Sequence, residues 1–155
     1  MAALTQDRNT PNALGELREG GVAASTLVYA GALLMRNAAG YLIEGQVATG
    51  LVGVGRAEER VDNSAGSAGD LTCRYRPGVY RFANSASSDE ITIADIGELC
   101  WAVDDQTVAK TDGSAARSPA GIVDHVDALG VWVRMDEALT LAAAEAAAAF
   151  ALASA

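Results

Sequence analysis

Between residues 89 and 135 the hydrophobic positions come in short runs broken by turn residues. Ile91 and Ile93, then residues 100–103, 107–109, 121–126 and 131–133, are rich in β-branched and aromatic side chains, and Asp-Gly, Ser-Pro and Ala-Leu-Gly separate them. This spacing predicts successive short strands, the pattern of a small antiparallel barrel or sandwich. The same pattern runs upstream. Residues 26–29, 32–35 and 41–43 predict strands, the last two joined through Asn37-Ala38-Ala39-Gly40. A helix through Leu33 and Met35 is disfavoured by Gly31, Gly40 and Gly45. Residues 50–61 begin with Leu51, Val52 and Val54 and end in charges, as a strand leaving the core would. Residues 71–75 and 79–82 flank Arg76-Pro77-Gly78, which carries the signature of a type II turn and predicts a hairpin. Alternation places Cys73 and Tyr75 on one face with Leu71, and Arg74 and Arg76 on the other; that arginine face is a candidate contact surface for an acidic partner, but Arg74, Arg76 and Arg81 among so many carboxylates are more simply read as local ion-pair partners.

The pattern changes at both ends. After Val133 the alternation stops, and Asp136 stands where an N-cap would, with Glu137 in the first turn at the positive end of the helix dipole. Alanine, the strongest helix former, dominates the chain from there to its last residue. On a helical wheel Leu139 and Phe150 lie together, with Leu141 and Leu152 nearly opposite, so the helix has no polar face. It therefore needs a partner on more than one side, and these four side chains are the candidate oligomer-interface residues. At the other end Arg8-Asn9-Thr10-Pro11 and the Gly20-Gly21 pair sit in a stretch without periodicity. Such a stretch predicts an extended arm that gains order on a partner, with Arg8, Asn9, Thr10 and Pro11 as candidate contacts. The expected organisation is mainly β: an extended N-terminal arm over 1–21, an antiparallel β-barrel or sandwich body over 22–135 and an Ala-rich C-terminal helix over 136–155.

Composition and charge narrow the function. The chain of 155 residues is the size of one domain; half its residues are hydrophobic, but much of that is alanine and only 5% is aromatic. A modest core with small apolar surface left over predicts an oligomer. The net charge of −9 and the lack of a basic run argue against a nucleic-acid partner. The first residues lack the basic-then-apolar order of a secretory signal, so synthesis in the cytoplasm is expected. The alanine-rich segment is short, interrupted by Glu145 and without flanking Lys or Arg, which argues against a membrane span. Cys73 and Cys100 stand far apart in apolar strand contexts, outside any CxxC pattern, and predict buried free thiols.

Candidate chemistry is sparse. His125, the one imidazole, could pair with Asp127 on a strand face, but two ligands from one strand do not make a metal site. Asp104 and Asp105 are adjacent, so on a strand they would point apart; they predict a turn, as does Asp95 before Ile96-Gly97. Gly50, Gly53 and Gly55 are not spaced as a dinucleotide fingerprint and instead predict strand bends and close packing. Neither catalytic residues nor a cofactor or metal is expected. Tyr80, Phe82 and Trp101 are expected to fill the core rather than to form a surface for carbohydrate.

The run ITIADIGELCWAVDDQTVAKTDGSAARSPAGIVDHVDALGVWVRM, together with VGRAEERVDN and PGVYRFANS, resembles a family of small proteins encoded beside the major capsid gene in Mu-like and related tailed phages: head decoration, or cement, proteins. The likeness spans roughly residues 8–134, is carried most distinctively by VDDQTVA and GVWV, and leaves out the alanine-rich tail. It implies a β-rich, barrel-like body on the outer surface of the virion capsid, commonly a homotrimer at local three-fold points. The implied partners are the major capsid protein and copies of the chain itself, and no catalytic residues come with the family. The rival expectations are another virion component, such as a head-completion, tail-tube or fibre-associated protein, or a surface- or carbohydrate-binding module.

Overall fold

The structure, a computed structural model, describes residues 5, 6 and 8–155. Its organising element is β3 (Leu33–Asn37), which is apolar on both faces. Leu33 and Met35 enter one core while Leu34 enters a second, so β3 has to be covered from both sides. β3 is itself the fourth strand of a five-stranded sheet in the order β1 (Arg18–Gly21), β7 (Thr72–Arg76), β5 (Leu51–Ala57), β3, β4 (Leu42–Glu44). The side bearing Leu33 and Met35 packs on a closed five-stranded barrel made of β10 (Thr107–Ala109), β8 (Gly78–Asn84), β12 (Gly130–Met135), β11 (Pro119–Asp127) and β9 (Leu99–Ala102). A two-stranded ribbon of β2 (Thr26–Val28) and β6 (Val61–Asn63) completes the mainly β fold. All named pairs are antiparallel except β10 with β8, a short parallel closure through Thr107 opposite Ala83 and Val108 opposite Asn84.

The two bodies touch backbone to backbone, and glycine is what allows it. A Cβ on Gly53 would overlap the carbonyl of Ala120 in β11; within the sheet, one on Gly55 would overlap the carbonyl of Arg76 in β7. The glycines of β5 therefore serve close packing, as their spacing predicts. The barrel core gathers Phe82, Ile91, Cys100, Val108, Val123 and Met135 around Leu33 and Met35. The sheet core gathers Val22, Leu42, Val54, Cys73 and Tyr75 around Leu34.

Three local expectations are corrected. The hairpin at Arg76-Pro77-Gly78 does not form: β7 ends in the sheet, β8 begins in the barrel, and the two do not pair. Pro77 offers no donor, and Gly78 at φ 151° turns the chain out of one body into the other. Ile91 and Ile93 are not a strand. Thr92 and Asp95 form a capping box around the 3-10 turn Ile93–Asp95, which leaves Ile91 buried and Ile93 exposed. Inside the stretch read as an arm, Arg18–Gly21 is a strand, paired residue for residue with β7 from Arg18 opposite Tyr75 to Gly21 opposite Thr72.

The helix α1 (Glu137–Ala153) starts as its sequence indicates. The Asp136 carboxylate accepts the Leu139 N–H at 3.0 Å, and Glu137 pairs with Arg36 of β3 at 2.8 Å. Thr140 is buried against the body, with Ala143 and Ala144 half-buried, where the helix lies over β5, β11 and β9. From Glu145 onward every residue is exposed.

Candidate assembly surfaces

Arg8, Asn9, Thr10 and Pro11 are all exposed and lie in irregular chain ahead of β1. The exposure continues to Leu14, which is 90% accessible. The near end of this arm is fixed by Arg18, whose Nε donates to the Gly15 carbonyl at 3.3 Å. Leu14 and Gly15 then line a shallow groove of about 650 Å³ with Pro77, Gly78, Arg134 and Leu139. The base of the arm and the base of the helix thus meet at one end of the barrel.

Leu139, Leu141, Phe150 and Leu152 are exposed at 45%, 44%, 75% and 80%. The first two flank the docked face of α1, and the last two belong to its projecting half, where residues 146–155 carry no charged side chain. In a molecule of charge −9, a projection without charged side chains adds nothing to the repulsion between like molecules. A lone helix in water turns a polar face outward; this one turns out alanine, Phe150 and Leu152.

The remaining candidates of the sequence sit apart from these ends. His125 lies exposed on β11, where the register with β12 shifts between Val123 and His125. Its neighbour Asp127 accepts the indole N–H of Trp132 at 2.7 Å and the Leu129 N–H at 2.7 Å. Asp104 accepts the Gln106 N–H at 2.9 Å, a turn bond, while the carbonyl of Asp105 accepts from Leu33 N at 2.7 Å. Asp95 is paired with Lys110 at 2.8 Å and accepts the Thr92 N–H at 2.7 Å; these two contacts, in that order, hold its carboxyl below the usual range. Both cysteines are free and buried. Burial pushes the Cys73 thiol up to about 11 and the Cys100 thiol up to about 12. Among the described residues no group of three or more His, Cys, Asp or Glu side chains is placed to hold a metal ion, and no helix is long and apolar enough to cross a membrane.

Arg74 pairs with Glu59 at 3.0 Å and Arg76 with Glu58 at 3.3 Å, as alternation suggests. Sequence reading missed a set of arginine–aromatic stacks. The Arg56 guanidinium lies 4.7 Å from the centre of the Tyr80 ring, and that of Arg81 lies 5.7 Å from the Trp132 ring. The signal for the second is register: Arg81 and Trp132 are directly opposite across β8 and β12, which alternation within a single strand cannot reveal. Phe82 is buried as expected, whereas Tyr80 and Trp101 are half-buried.

Comparisons of the chain with protein-family models, with curated proteins and with solved structures return no match.

Proposed function

We propose that this chain is a structural virion protein, a decoration protein that binds the outer surface of a tailed-phage head and bridges neighbouring major capsid protein subunits, with copies of itself as its second partner. The observation that carries the reading is the exposure of residues 8–14 and 145–155 beside a β body. The arm through Arg8, Asn9, Thr10 and Pro11 and the half of α1 from Glu145 onward are exposed, and Leu14, Gly15 and Leu139 from the start of α1 line one groove. The resemblance in the VDDQTVA and GVWV segments supplies the kind of partner. The chemistry is that of a clamp. Each apolar side chain such as Phe150 or Leu152 contributes on the order of 1.5–3 kcal/mol when fully buried. A lattice multiplies such modest contacts, so that occupancy is high without one strong site.

The test uses phage heads lacking the protein and the purified full chain added back. Density spread over the shell supports the reading; density confined to the neck or tail, or no binding to heads, overturns it. A variant lacking residues 1–14 ends ahead of β1, so it keeps the wild-type thermal unfolding temperature and loses occupancy at least tenfold. Unchanged occupancy removes the arm from the mechanism.

A further inference from the structure

The barrel is closed along one seam by very little. β8 runs from Gly78 to Asn84, yet β10 meets it only at Ala83 and Asn84, so residues 78–82 of β8 run on past the end of their neighbour. Strand alternation says which main-chain groups this overhang leaves free. Ala83 donates its N–H to the Gln106 carbonyl, on the β10 side, at 2.7 Å. With no register shift in the pairing of β8 with β12, the N–H and C=O groups of Arg81 and Val79 point to that same side, while those of Tyr80 and Phe82 bond β12. The carbonyl of Phe82 agrees, since it faces Gly130 of β12. Beyond Ala83 the chain that would continue β10 turns away through Asp104 and Asp105, and among the described residues no main-chain hydrogen bond joins Val79 or Arg81 to anything on that side.

The open edge borders a groove. Gly31, Arg56, Val79, Tyr80, Arg81, Phe82 and Trp132 line a depression of about 320 Å³, and at Gly31 it adjoins a second of about 390 Å³ that reaches Gln106. Gly31 sits at φ 88°, with nothing within 4 Å of where a Cβ would be, so the far wall is low and open. Two guanidiniums flank it. Arg56 lies over Tyr80 and shares Glu58 with Arg76; Arg81 lies over Trp132 and has no carboxylate within 4.0 Å among the described residues. The edge is therefore flanked by positive charge, which opposes pairing with the same edge of a second copy. A strand with a carboxylate placed at Arg81 is attracted there, while Asp105 in the adjoining depression, Asp127 near Arg81 and Glu58 on Arg56 confine that attraction to the Arg81 position.

We propose that the outer edge of β8 at Val79 and Arg81 is a strand-addition site for an extended acidic segment of a partner protein, with a carboxylate of that segment seated against Arg81. The added strand takes the path that β10 abandons, exchanges main-chain hydrogen bonds with Val79 and Arg81, and lays apolar side chains along Tyr80. Arg81 then distinguishes acidic from basic segments, an effect of side-chain charge laid over the sequence-blind bonds of the backbone. The inference does not rest on the capsid reading, since it concerns the edge and not the shell.

The experiment is hydrogen exchange and chemical-shift titration of the isotopically labelled full chain. Without ligand, the amides of Val79 and Arg81 exchange on the order of 100-fold faster than those of Tyr80 and Phe82. An acetylated, amidated Thr-Val-Glu-Val-Thr peptide slows those two amides and shifts their resonances, and the peptide with Lys in place of Glu binds at least tenfold more weakly. Arg81→Glu reverses the order of the two peptides. The proposal is overturned if Val79 and Arg81 are already as protected as their neighbours, or if neither peptide moves them. It is equally overturned if the same shifts grow with protein concentration alone, which assigns the edge to a second copy. Loss of protection at these amides on removing residues 1–14 would assign it to the chain's own arm.

Discussion

At Gly53 the cost of a single methyl group is set by a neighbouring backbone rather than by conformation. The position of its Cβ is already occupied by the carbonyl of Ala120, so Gly53→Ala forces β5 and β11 apart. Overpacking of this kind costs about 1–3 kcal/mol. Gly50 is the opposite case: φ is 74°, but nothing lies within 4 Å of its Cβ. Gly50→Ala therefore carries only the left-handed penalty of about 1–2 kcal/mol and leaves the packing untouched. Urea denaturation measures both losses, and crystals or spectra separate them, because Gly53→Ala shows displacement at Ala120 whereas Gly50→Ala changes stability alone. Neither outcome can be read from GLVGVG as a string, in which the glycines look equivalent.

Carboxylates set the pH response. Asp89 is held below the usual range by the Thr111 hydroxyl and then by Arg117 at 2.8 Å, and Asp95 by Lys110 and then by the Thr92 amide. A depressed native pKa means that the stabilisation is complete above the unfolded value of about 3.9 and is lost as pH falls through the native value. Stability is expected to hold from pH 7 to 5 and to decline in acid below about pH 4, with a shallower decline in Asp95→Asn. Glu44 acts in the other sense: burial pushes its carboxyl up, and its Oε2 is buried without a hydrogen-bond partner. Its charged form opposes folding at neutral pH, so Glu44→Gln raises the denaturation midpoint at pH 7. An unchanged or lower midpoint would refute this.

Among the elements, α1 carries the sharpest expectation. Its first half is tied down by the Asp136 cap, the Arg36–Glu137 pair and buried Thr140, while its second half is exposed throughout. Charges placed at Phe150 and Leu152 therefore leave the monomer fold intact. Phe150→Asp with Leu152→Asp is expected to keep the wild-type circular dichroism while shifting sedimentation to the monomer; an unaltered sedimentation coefficient would show that the projecting half is not the contact. This element was legible because capping, dipole and propensity all point one way along consecutive residues. The strands were legible as runs, from 107–109 to 131–133, for the same local reason. What failed was the link between runs: Arg76-Pro77-Gly78 has the chemistry of a tight turn, and local chemistry does not say in which body the next strand pairs. Thr92 and Asp95 likewise close a local box that outweighs the strand propensity of Ile91 and Ile93.

At the scale of the molecule, the question is whether sheet and barrel are one cooperative unit or two. β3 belongs to both cores, through Leu33 and Met35 on one side and Leu34 on the other, and β5 presses its backbone on β11 at Gly53. Opening either body strips one face of β3, so neither retains its core alone, and the two unfold together. In the sequence this arrangement reads only as a short apolar run, since a strand buried on both faces loses the alternation that would assign it to a sheet. The two thiols report on it independently: Cys73 lies in the sheet core and Cys100 in the barrel core, and burial holds both far above the pH of an ordinary labelling reaction. In native buffer neither is expected to react with an aromatic disulfide reagent, and through a urea transition both become reactive with the same midpoint. Separate midpoints for Cys73 and Cys100 would mean that β3 couples the bodies too weakly to make them one.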